Sequence, residues 1–330
     1  MGKYFAEGAF FVRRGFSSLT TFLDLPPHPL RQKKIRAVDP PPPDPVYHAT
    51  MDSVTTRVPA TTSNLGPGYD CLGIALGLSN RVTISRGAAG ELPPIVTDAG
   101  RAFFAGAKVP AFDFAWSIAG EVPQARGLGS SVTVRLGVMH GLNELAERPL
   151  TPTAIFELCA QLEGHPDNAA PAAFGGFTAA RPGAETLRCE VSPGLQFVLL
   201  IPDFEVATPE ARRLLPDVIP RRDAVMSTTN ACRITAAFML QRYDLLRGCF
   251  TDGLHQPYRE PLVPFLSHAI AAGEKAGALG GFLSGSGSTI CCLTMQAPEE
   301  VAAAMLDTAP PGAHAVITHA NNSGVSIVPV

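Results

Sequence analysis

A glycine-rich loop that opens directly into a helix constrains this chain more than any other feature. Residues 126–131 read Arg-Gly-Leu-Gly-Ser-Ser, and apolar residues recur at helical spacing from Ser131 to Ala146. Glycine lets a loop turn with positive φ and approach a ligand closely. The first turn of a helix offers free N–H groups and the positive end of its dipole, which together favour a phosphate. The segment is typical of a phosphate site, and a serine-capped helix start without a ligand would read the same way.

The loop matches neither of two common nucleotide-binding patterns. It lacks the lysine of the G-x-x-x-x-G-K-[ST] loop, and its glycines do not follow the G-x-G-x-x-G spacing. The hydroxyls of Ser130 and Ser131 could bind phosphate oxygens or a magnesium ion at this loop.

Composition excludes several classes of partner. The formal net charge of −3 gives no electrostatic reason to expect nucleic acid or a membrane surface. No apolar stretch approaches the roughly 18 residues that span a bilayer. The seven cysteines are scattered without a CxxC pair, which favours reduced thiols in a cytoplasmic protein. The oligomeric state is left open, a homodimer included.

Residues 1–50 differ from the rest of the chain. They combine basic residues with a proline run at residues 40–43, and proline neither continues a helix nor pairs within a sheet. We expect a disordered extension or a misassigned start, with Met51 as the true first residue. A targeting peptide is the alternative, since the segment is basic and contains few acidic residues.

Beyond this segment, strands and helices interleave without a regular βαβ period, which favours the α+β class. Strands are predicted at residues 81–85 and 196–201, and a Gly/Ser loop leads into another strand within residues 280–292. Further helices are predicted at residues 153–162, 227–246 and 263–276.

Two polar segments carry candidate binding groups. Asn64 and Asp70 lie in a glycine-rich loop and are suited to an amino acid's ammonium and hydroxyl, although both residues are also common turn formers. Residues 163–168 read Glu-Gly-His-Pro-Asp-Asn, which packs two carboxylates, an imidazole and an amide into six positions. A solvated turn between two helices would look similar.

Taken in order, the motifs resemble a known superfamily, the galactokinase–homoserine kinase–mevalonate kinase–phosphomevalonate kinase (GHMP) kinases. Its three motifs match PATTSNLGPGYD (59–70), PQARGLGSS (123–131) and SGSGST (284–289). Within it, the homoserine kinases are most similar, on EGHPDNAAPAAFGGF (163–177), TPEARRLLP (208–216) and QPYREPLVP (256–264). The resemblance covers residues 54–300.

The resemblance implies a two-domain GHMP kinase fold of the α+β class. Residues 51–195 would form an ATP-binding domain like ribosomal protein S5 domain 2, and residues 196–330 a ferredoxin-like domain. It also implies ATP-dependent phosphorylation of the side-chain hydroxyl of L-homoserine, in threonine biosynthesis, with Mg²⁺ required. The residues implied for the ATP phosphates are Arg126, Gly127, Leu128, Gly129, Ser130 and Ser131. Those implied for magnesium are Ser131 and Glu163, with Glu157 as the alternative carboxylate.

The matched positions for the amino-acid substrate are Asn64, Asp70, His165, Asn168, Thr208, Arg212 and Arg259. Guanidinium groups fit carboxylate geometry, so Arg212 and Arg259 are expected to hold the substrate carboxylate. Asp70 would take the ammonium, and Asn168 would orient the reacting hydroxyl. The candidate catalytic residues are Asn168, Asp167 and Arg212.

The proton acceptor stays open at this point. Homoserine kinases resemble enzymes that work without a dedicated base, since phosphoryl transfer needs mainly positioning and charge neutralisation. Asp167 could act as a base, as a corresponding aspartate does in mevalonate kinases. His165 is expected to be a substrate or structural hydrogen-bonding group.

Three departures from the family pattern stand out. The stretch at residues 90–117 is short and lacks the Asn-containing helix start that relatives place near adenine, so no adenine contacts are predicted. The helix after the phosphate loop reads SSVTVRL where relatives usually carry small residues, and Arg135 is expected to face solvent. Ser288 stands where the family usually has proline, which predicts a more flexible turn. Two rival functions remain: a GHMP kinase for another small alcohol, and a ligand-binding regulator that has lost catalysis.

Overall fold

The computed structural model describes residues 52–87 and 90–329. The predictions for residues 1–50 and for Met51 lie outside these residues. Within them the strands are β1 (Ser53–Ser63), β2 (Leu72–Arg86), β3 (Phe114–Gly120), β4 (Phe177–Ala179), β5 (Leu187–Cys189), β6 (Gln196–Ile201), β7 (Gly280–Leu283), β8 (Ile290–Thr294), β9 (His314–His319) and β10 (Ser326–Val328). The helices are α1 (Pro94–Ala107), α2 (Ser130–Leu145), α3 (Pro152–Glu163), α4 (Ala169–Phe174), α5 (Thr208–Arg213), α6 (Arg221–Met239), α7 (Gln256–Arg259), α8 (Leu266–Lys275) and α9 (Pro298–Leu306), with 3₁₀ turns at Tyr243–Leu246 and Glu260–Leu262.

Two antiparallel sheets organise these elements. The first has the order β10-β1-β2-β4-β5, with β3 paired to the second half of β2. The second has the order β7-β8-β6-β9, and every neighbouring pair is antiparallel. With helices after β6 and after β8, the second sheet has the βαββαβ connectivity of the ferredoxin-like fold. The α+β class expected from the sequence is confirmed.

Three apolar clusters hold the layers together. One packs α1 to α4 against the first sheet and includes Val82, Phe103 and Leu136. Another packs α8 and α9 against the second sheet. The third joins residues of both sheets, where Phe177 stacks on Phe238 with ring centroids 4.5 Å apart. Because this shared core spans the sheets, loops from both can converge on one face.

Most predicted elements form close to their predicted bounds. β6 matches residues 196–201, and α2 and α3 each begin and end within one residue of prediction. The single helix predicted at 227–246 is wrong: α6 begins earlier and ends at Met239, and the chain then turns through Gln241, which has a φ of 52°. β7 was not predicted because its Gly-Gly start resembles the loop that follows. Among the described residues, the helices are too short or too polar to cross a bilayer.

Candidate active site

The predicted phosphate loop lies between β3 and the N-terminus of α2. Gly129 is the N-cap residue, with a φ of 69°, and no side chain of the described residues caps the helix. Gly127 also has positive φ, at 72°, and a Cβ there would collide with the carbonyl oxygen of Ser284. Both glycines are therefore required by conformation and by space. The uncapped first turn leaves backbone N–H groups of α2 available to an anion.

Two members of the predicted phosphate loop contribute less than their side chains suggest. Leu128 is buried in the shared core, and its carbonyl accepts a hydrogen bond from Thr61 N at 3.1 Å. Arg126 donates from Nε to the carbonyl of Pro202 at 3.0 Å and lies 3.4 Å from a carboxylate oxygen of Glu205. The guanidinium of Arg126 is thus already engaged by the protein at the rim of the cavity.

Ser131 and Glu163 meet at the start of α2. The Ser131 hydroxyl donates to Glu163 Oε2 at 3.0 Å, and Glu163 is the last residue of α3. The alternative carboxylate, Glu157, is exposed on α3 and does not line the cavity. A hydroxyl and a carboxylate side by side at a helix N-terminus are the hard oxygen ligands that Mg²⁺ prefers, so the residues fit this metal.

Arg135 does not face solvent, contrary to the sequence-based expectation. Its side chain is 17% exposed, and Nη1 contacts Glu163 Oε1. The physical reason is that Arg135 lies one turn after Ser131 on α2, on the side that faces the end of α3. Glu163 therefore pairs with Ser131 through one oxygen and with Arg135 through the other.

Asn168 is fixed by two residues at the end of β1. Thr61 Oγ1 donates to Asn168 Oδ1 at 2.6 Å, and Asn168 Nδ2 donates to Ser63 Oγ at 2.8 Å. A Cβ added to Gly129 would lie 3.3 Å from Asn168 Oδ1. The amide oxygen is therefore held directly beside the N-terminus of α2.

His165 and Asp167 form a partly buried ion pair next to this amide. His165 Nδ1 lies 2.5 Å from Asp167 Oδ1, which also accepts from Asn168 N at 2.9 Å. Burial would raise the pKa of Asp167, but the hydrogen bond and charge of His165, together with Ser63 and Asn168 N, hold that pKa below its ordinary value. Burial would lower the pKa of His165, and Asp167 raises it overall. The pair is stabilised in its charged form.

Asp70 and Arg212 form a bidentate ion pair farther along the cavity. The guanidinium donates from Nη2 to Oδ1 at 2.7 Å and from Nη1 to Oδ2 at 3.2 Å. The side chain of Arg212 is 36% exposed and that of Asp70 is 33% exposed, so both remain accessible. Tyr69 lies against this pair, with the Arg212 guanidinium 5.5 Å from the ring centroid.

Arg259 also lies against Tyr69, 5.4 Å from the ring centroid, and is only 2% exposed. Its Nη1 donates to the carbonyl of Gly285 at 3.0 Å and lies 3.2 Å from His255 Nδ1. Burial lowers the pKa of Arg259, but an arginine stays protonated in proteins. Two arginines of the predicted set thus contact one aromatic ring.

The late Gly/Ser loop ties these parts together. Ser284 donates to the carbonyl of Gly127 at 2.7 Å, and Asn64 Nδ2 donates to the carbonyl of Gly285 at 2.9 Å. Asn64 also accepts from Asp70 N through Oδ1 at 3.0 Å and is 3% exposed, so both of its amide atoms bind the protein. Ser288 is buried and donates to the carbonyl of Phe204 at 2.7 Å, so the flexible turn predicted there is wrong.

Thr208 begins α5 at the open edge of the cavity. Its hydroxyl lies 3.2 Å from Ser286 Oγ, in the late loop. Through this contact α5 meets the Gly/Ser loop, and both residues line the same cavity as the predicted substrate residues.

One cavity of about 1130 Å³ is lined by most of the predicted site residues. Leu128 is the exception, since it is buried in the shared core. One end has an apolar wall that the sequence did not predict, built from Pro93, Ile95, Trp116, Ile118 and Leu162. Ile118 is 40% exposed on β3, and an exposed apolar side chain in a cavity indicates a ligand surface. In the sequence, the one hint of this surface is Trp116, the single tryptophan of the chain. Gly129 lies against Thr61 of β1, which pairs with Ala75 of β2, whereas β3 pairs with residues 80–86 of β2 and Asp70 precedes that strand. The start of α2 therefore lies between the apolar wall and the Asp70–Arg212 pair.

Comparison with known proteins identifies the family of the chain. Two family models match, "GHMP kinases N terminal domain" over residues 95–176 and "GHMP kinases C terminal" over residues 235–310. The homoserine kinase of Moorella thermoacetica is 38% identical over 268 residues, covering 76% of this chain and 90% of that protein. The homoserine kinase of Aquifex aeolicus is 34% identical over 296 residues, covering 83% and 99%.

Solved structures support the fold. The crystal structure of homoserine kinase from Cytophaga hutchinsonii matches with a TM-score of 0.78 at 23% identity, covering 86% of this chain and 99% of that one. The mevalonate kinase of Methanococcus jannaschii matches with a TM-score of 0.61 at 12% identity, covering 83% and 99%. At these identities the likeness bears on the fold alone.

Proposed function

The chain belongs to the homoserine kinases of the GHMP kinase family, and we propose that it transfers the γ-phosphoryl group of ATP to the side-chain hydroxyl of L-homoserine. The product is O-phospho-L-homoserine, in threonine biosynthesis. The single observation that carries the proposal is one continuous cavity with an apolar wall, an uncapped helix N-terminus and an acid–arginine pair in that order. The order of these three features along the cavity matches the order of the reacting groups: a nucleotide base, a polyphosphate and a zwitterionic alcohol.

The adenine base is assigned to the apolar wall. Trp116 and Ile118 on β3 offer a flat, partly exposed surface, and Leu162 borders it near the end of α3. Aromatic and aliphatic side chains at this end would bury a planar ring, with the polar atoms of the nucleotide directed toward α2.

The polyphosphate is assigned to the N-terminus of α2. The backbone N–H groups after Gly129 and the hydroxyls of Ser130 and Ser131 point to the same part of the cavity. Ser131 and Glu163 would hold Mg²⁺, which when bound neutralises charge on the phosphates. Gly127 and Gly129 let the backbone come close enough for these contacts.

The amino-acid end is assigned to Asp70, Arg212 and Arg259. A zwitterion can insert into an acid–arginine pair, since its ammonium replaces the guanidinium at Asp70 and its carboxylate replaces the aspartate at Arg212. Arg259 adds a buried positive charge next to Tyr69, which also contacts Arg212. A substrate that lacks either its ammonium or its carboxylate would leave Asp70 or Arg212 without a charged partner.

The reacting hydroxyl is assigned to Asn168. Its Oδ1 accepts from Thr61 through one lone pair and keeps the second for the substrate hydroxyl. Because this oxygen lies beside Gly129, a hydroxyl bound to it would face the phosphate site. Positioning of this kind supplies much of the catalysis in phosphoryl transfer.

No general base is assigned. Asp167 is 2% exposed, its Oδ1 accepts from His165 and from Asn168 N, and its lowered pKa makes it a weak proton acceptor. We assign Asp167 and His165 to holding Asn168 in place. Asn64 and Thr208 are likewise proposed to shape the substrate end by anchoring the late loop.

A kinase for another small alcohol is the rival within the family. The Asp70–Arg212 pair favours a zwitterionic amino acid over an alcohol that lacks an ammonium group.

The test measures ADP release with L-homoserine, mevalonate and shikimate. Two further analogues sharpen it: 4-hydroxybutanoate lacks the ammonium, and 3-aminopropan-1-ol lacks the carboxylate. We expect turnover with L-homoserine and little with either analogue. Preference for mevalonate or shikimate would refute the substrate, and tight binding of ATP and L-homoserine without turnover would favour the regulator.

Two finer predictions accompany this function. A cytoplasmic location and a homodimer are both compatible with it and stay predictions from the sequence.

A further inference from the structure

The ion pair between Arg135 and Glu163 is a feature that the reaction scheme above leaves unexplained. Arg135 lines the cavity on α2, one turn after Ser131, and contacts Glu163 Oε1. The two side chains are 17% and 10% exposed, so the pair is largely shielded from solvent. A carboxylate assigned to hold a divalent metal therefore already has a cation bound to it.

The two oxygens of Glu163 have different partners. Oε1 contacts Arg135, while Oε2 accepts the hydroxyl of Ser131 at 3.0 Å. The Arg135 Nε atom is buried and finds no hydrogen-bond partner within residues 52–87 and 90–329. Within the described part of the chain, Glu163 is thus the hydrogen-bond partner of this guanidinium.

This inference rests on the proposed function. We propose that Arg135 is a resident cation that shares Glu163 with the divalent metal and sets how strongly nucleotide binding depends on that metal. Without the metal, the guanidinium neutralises a carboxylate that would otherwise repel the polyphosphate. A metal held at Glu163 would share that carboxylate with the guanidinium, and repulsion between the two cations would weaken metal binding.

Removing the charge of Arg135 should therefore act in opposite directions on two binding events. Metal-free nucleotide binds more weakly, because Glu163 is left as an unpaired negative charge beside the phosphates. The metal binds more tightly, because the competing guanidinium is gone. The ratio between the dissociation constant for ADP in chelator and that in Mg²⁺ should rise in the variant, by about tenfold for a partly shielded pair.

The test is calorimetric titration of ADP into the full-length protein, in chelator and in Mg²⁺, for wild type and Arg135→Gln. The matched control is Arg148→Gln. Arg148 lies just beyond the end of α2, pairs with Glu144 and is 71% exposed. Arg135→Lys keeps the charge and should keep most of the wild-type ratio. The melting temperature of each variant reports any loss of folding separately.

We expect the ratio to rise in Arg135→Gln alone. A ratio equal to that of wild type, or an equal rise in Arg148→Gln, would overturn the inference while leaving the proposed function intact. If wild-type protein binds ADP in neither condition, both fail.

Should Arg135→Gln not fold, the variants Glu163→Gln and Glu163→Gln/Arg135→Gln replace it, since neither leaves an unpaired carboxylate. We then expect metal-free ADP to bind more tightly to the single variant than to the double variant. Equal affinities would overturn the inference.

Discussion

Replacing Arg212 with glutamine tests the amino-acid end of the site. Arg212 donates two hydrogen bonds to Asp70, at 2.7 and 3.2 Å, and belongs to the short helix α5. Glutamine retains some of the length of the side chain and a hydrogen-bond donor but removes the charge. In the proposed complex this variant loses the charged contact with the carboxylate of L-homoserine.

The structure indicates that binding should change more than folding. An ion pair that is one-third exposed contributes at most about 1 kcal/mol to stability. A hydrogen bond to a charged group contributes about 1.5–3 kcal/mol, which corresponds to a roughly 10- to 150-fold rise in KM for L-homoserine. The KM for ATP should change little, because the adenine and phosphate groups are assigned to residues at the other end of the cavity.

Steady-state kinetics with each substrate varied in turn measures both constants. Arg213→Gln is the matched control, since Arg213 is the next residue on α5, is exposed and does not line the cavity. The reasoning is refuted if Arg212→Gln raises both KM values equally, or if Arg213→Gln has the same effect on KM for L-homoserine.

Three more predictions follow from the middle of the cavity. Asn168→Ala should lower kcat by about 100-fold by releasing the substrate hydroxyl, with KM for ATP nearly unchanged; an unaltered kcat would contradict the role of Asn168. Gly129→Ala should lower the melting temperature and raise KM for ATP, because its Cβ would collide with Thr61 Oγ1, whereas Gly164→Ala introduces the same positive-φ strain with no atom within 4 Å and should leave KM for ATP unchanged. His165 has a pKa raised above its ordinary 6.5 by Asp167, so its stabilising contribution is complete below that pH and is lost as the pH rises through the folded-state pKa. The stability difference between wild type and His165→Gln, measured by denaturant unfolding, should therefore shrink from pH 6 to pH 9, and a constant difference would contradict the ion pair.

The parts of the site that lie within short segments were predictable from the sequence. The glycines at 127 and 129 signal a backbone with positive φ, and the polar run at 163–168 signals a turn that carries chemistry. Chain order alone then places the phosphate loop at a helix N-terminus. The residue types in these segments predict the site because they determine the backbone conformation of their own segment, which does not depend on distant residues.

The contacts between distant segments were not predictable in the same way. Arg135 and Glu163 are 28 residues apart, and their pairing depends on how α2 packs against α3. The sequence suggests Asn64 as a free donor and acceptor, but its amide nitrogen donates to the late loop, more than 200 residues away, and its amide oxygen accepts from Asp70 N. The apolar wall also needs the pairing of β3 with β2, which puts Trp116 and Ile118 on one rim. A single sequence does not specify such tertiary neighbours.

A crystal structure with a non-hydrolysable ATP analogue, Mg²⁺ and L-homoserine tests the central claim most directly. The account predicts the terminal phosphate at the first turn of α2 beside Ser131, with the substrate hydroxyl on Asn168 and its ammonium and carboxylate between Asp70 and Arg212. A nucleotide bound away from α2, or an amino acid that leaves the Asp70–Arg212 pair intact, would contradict it.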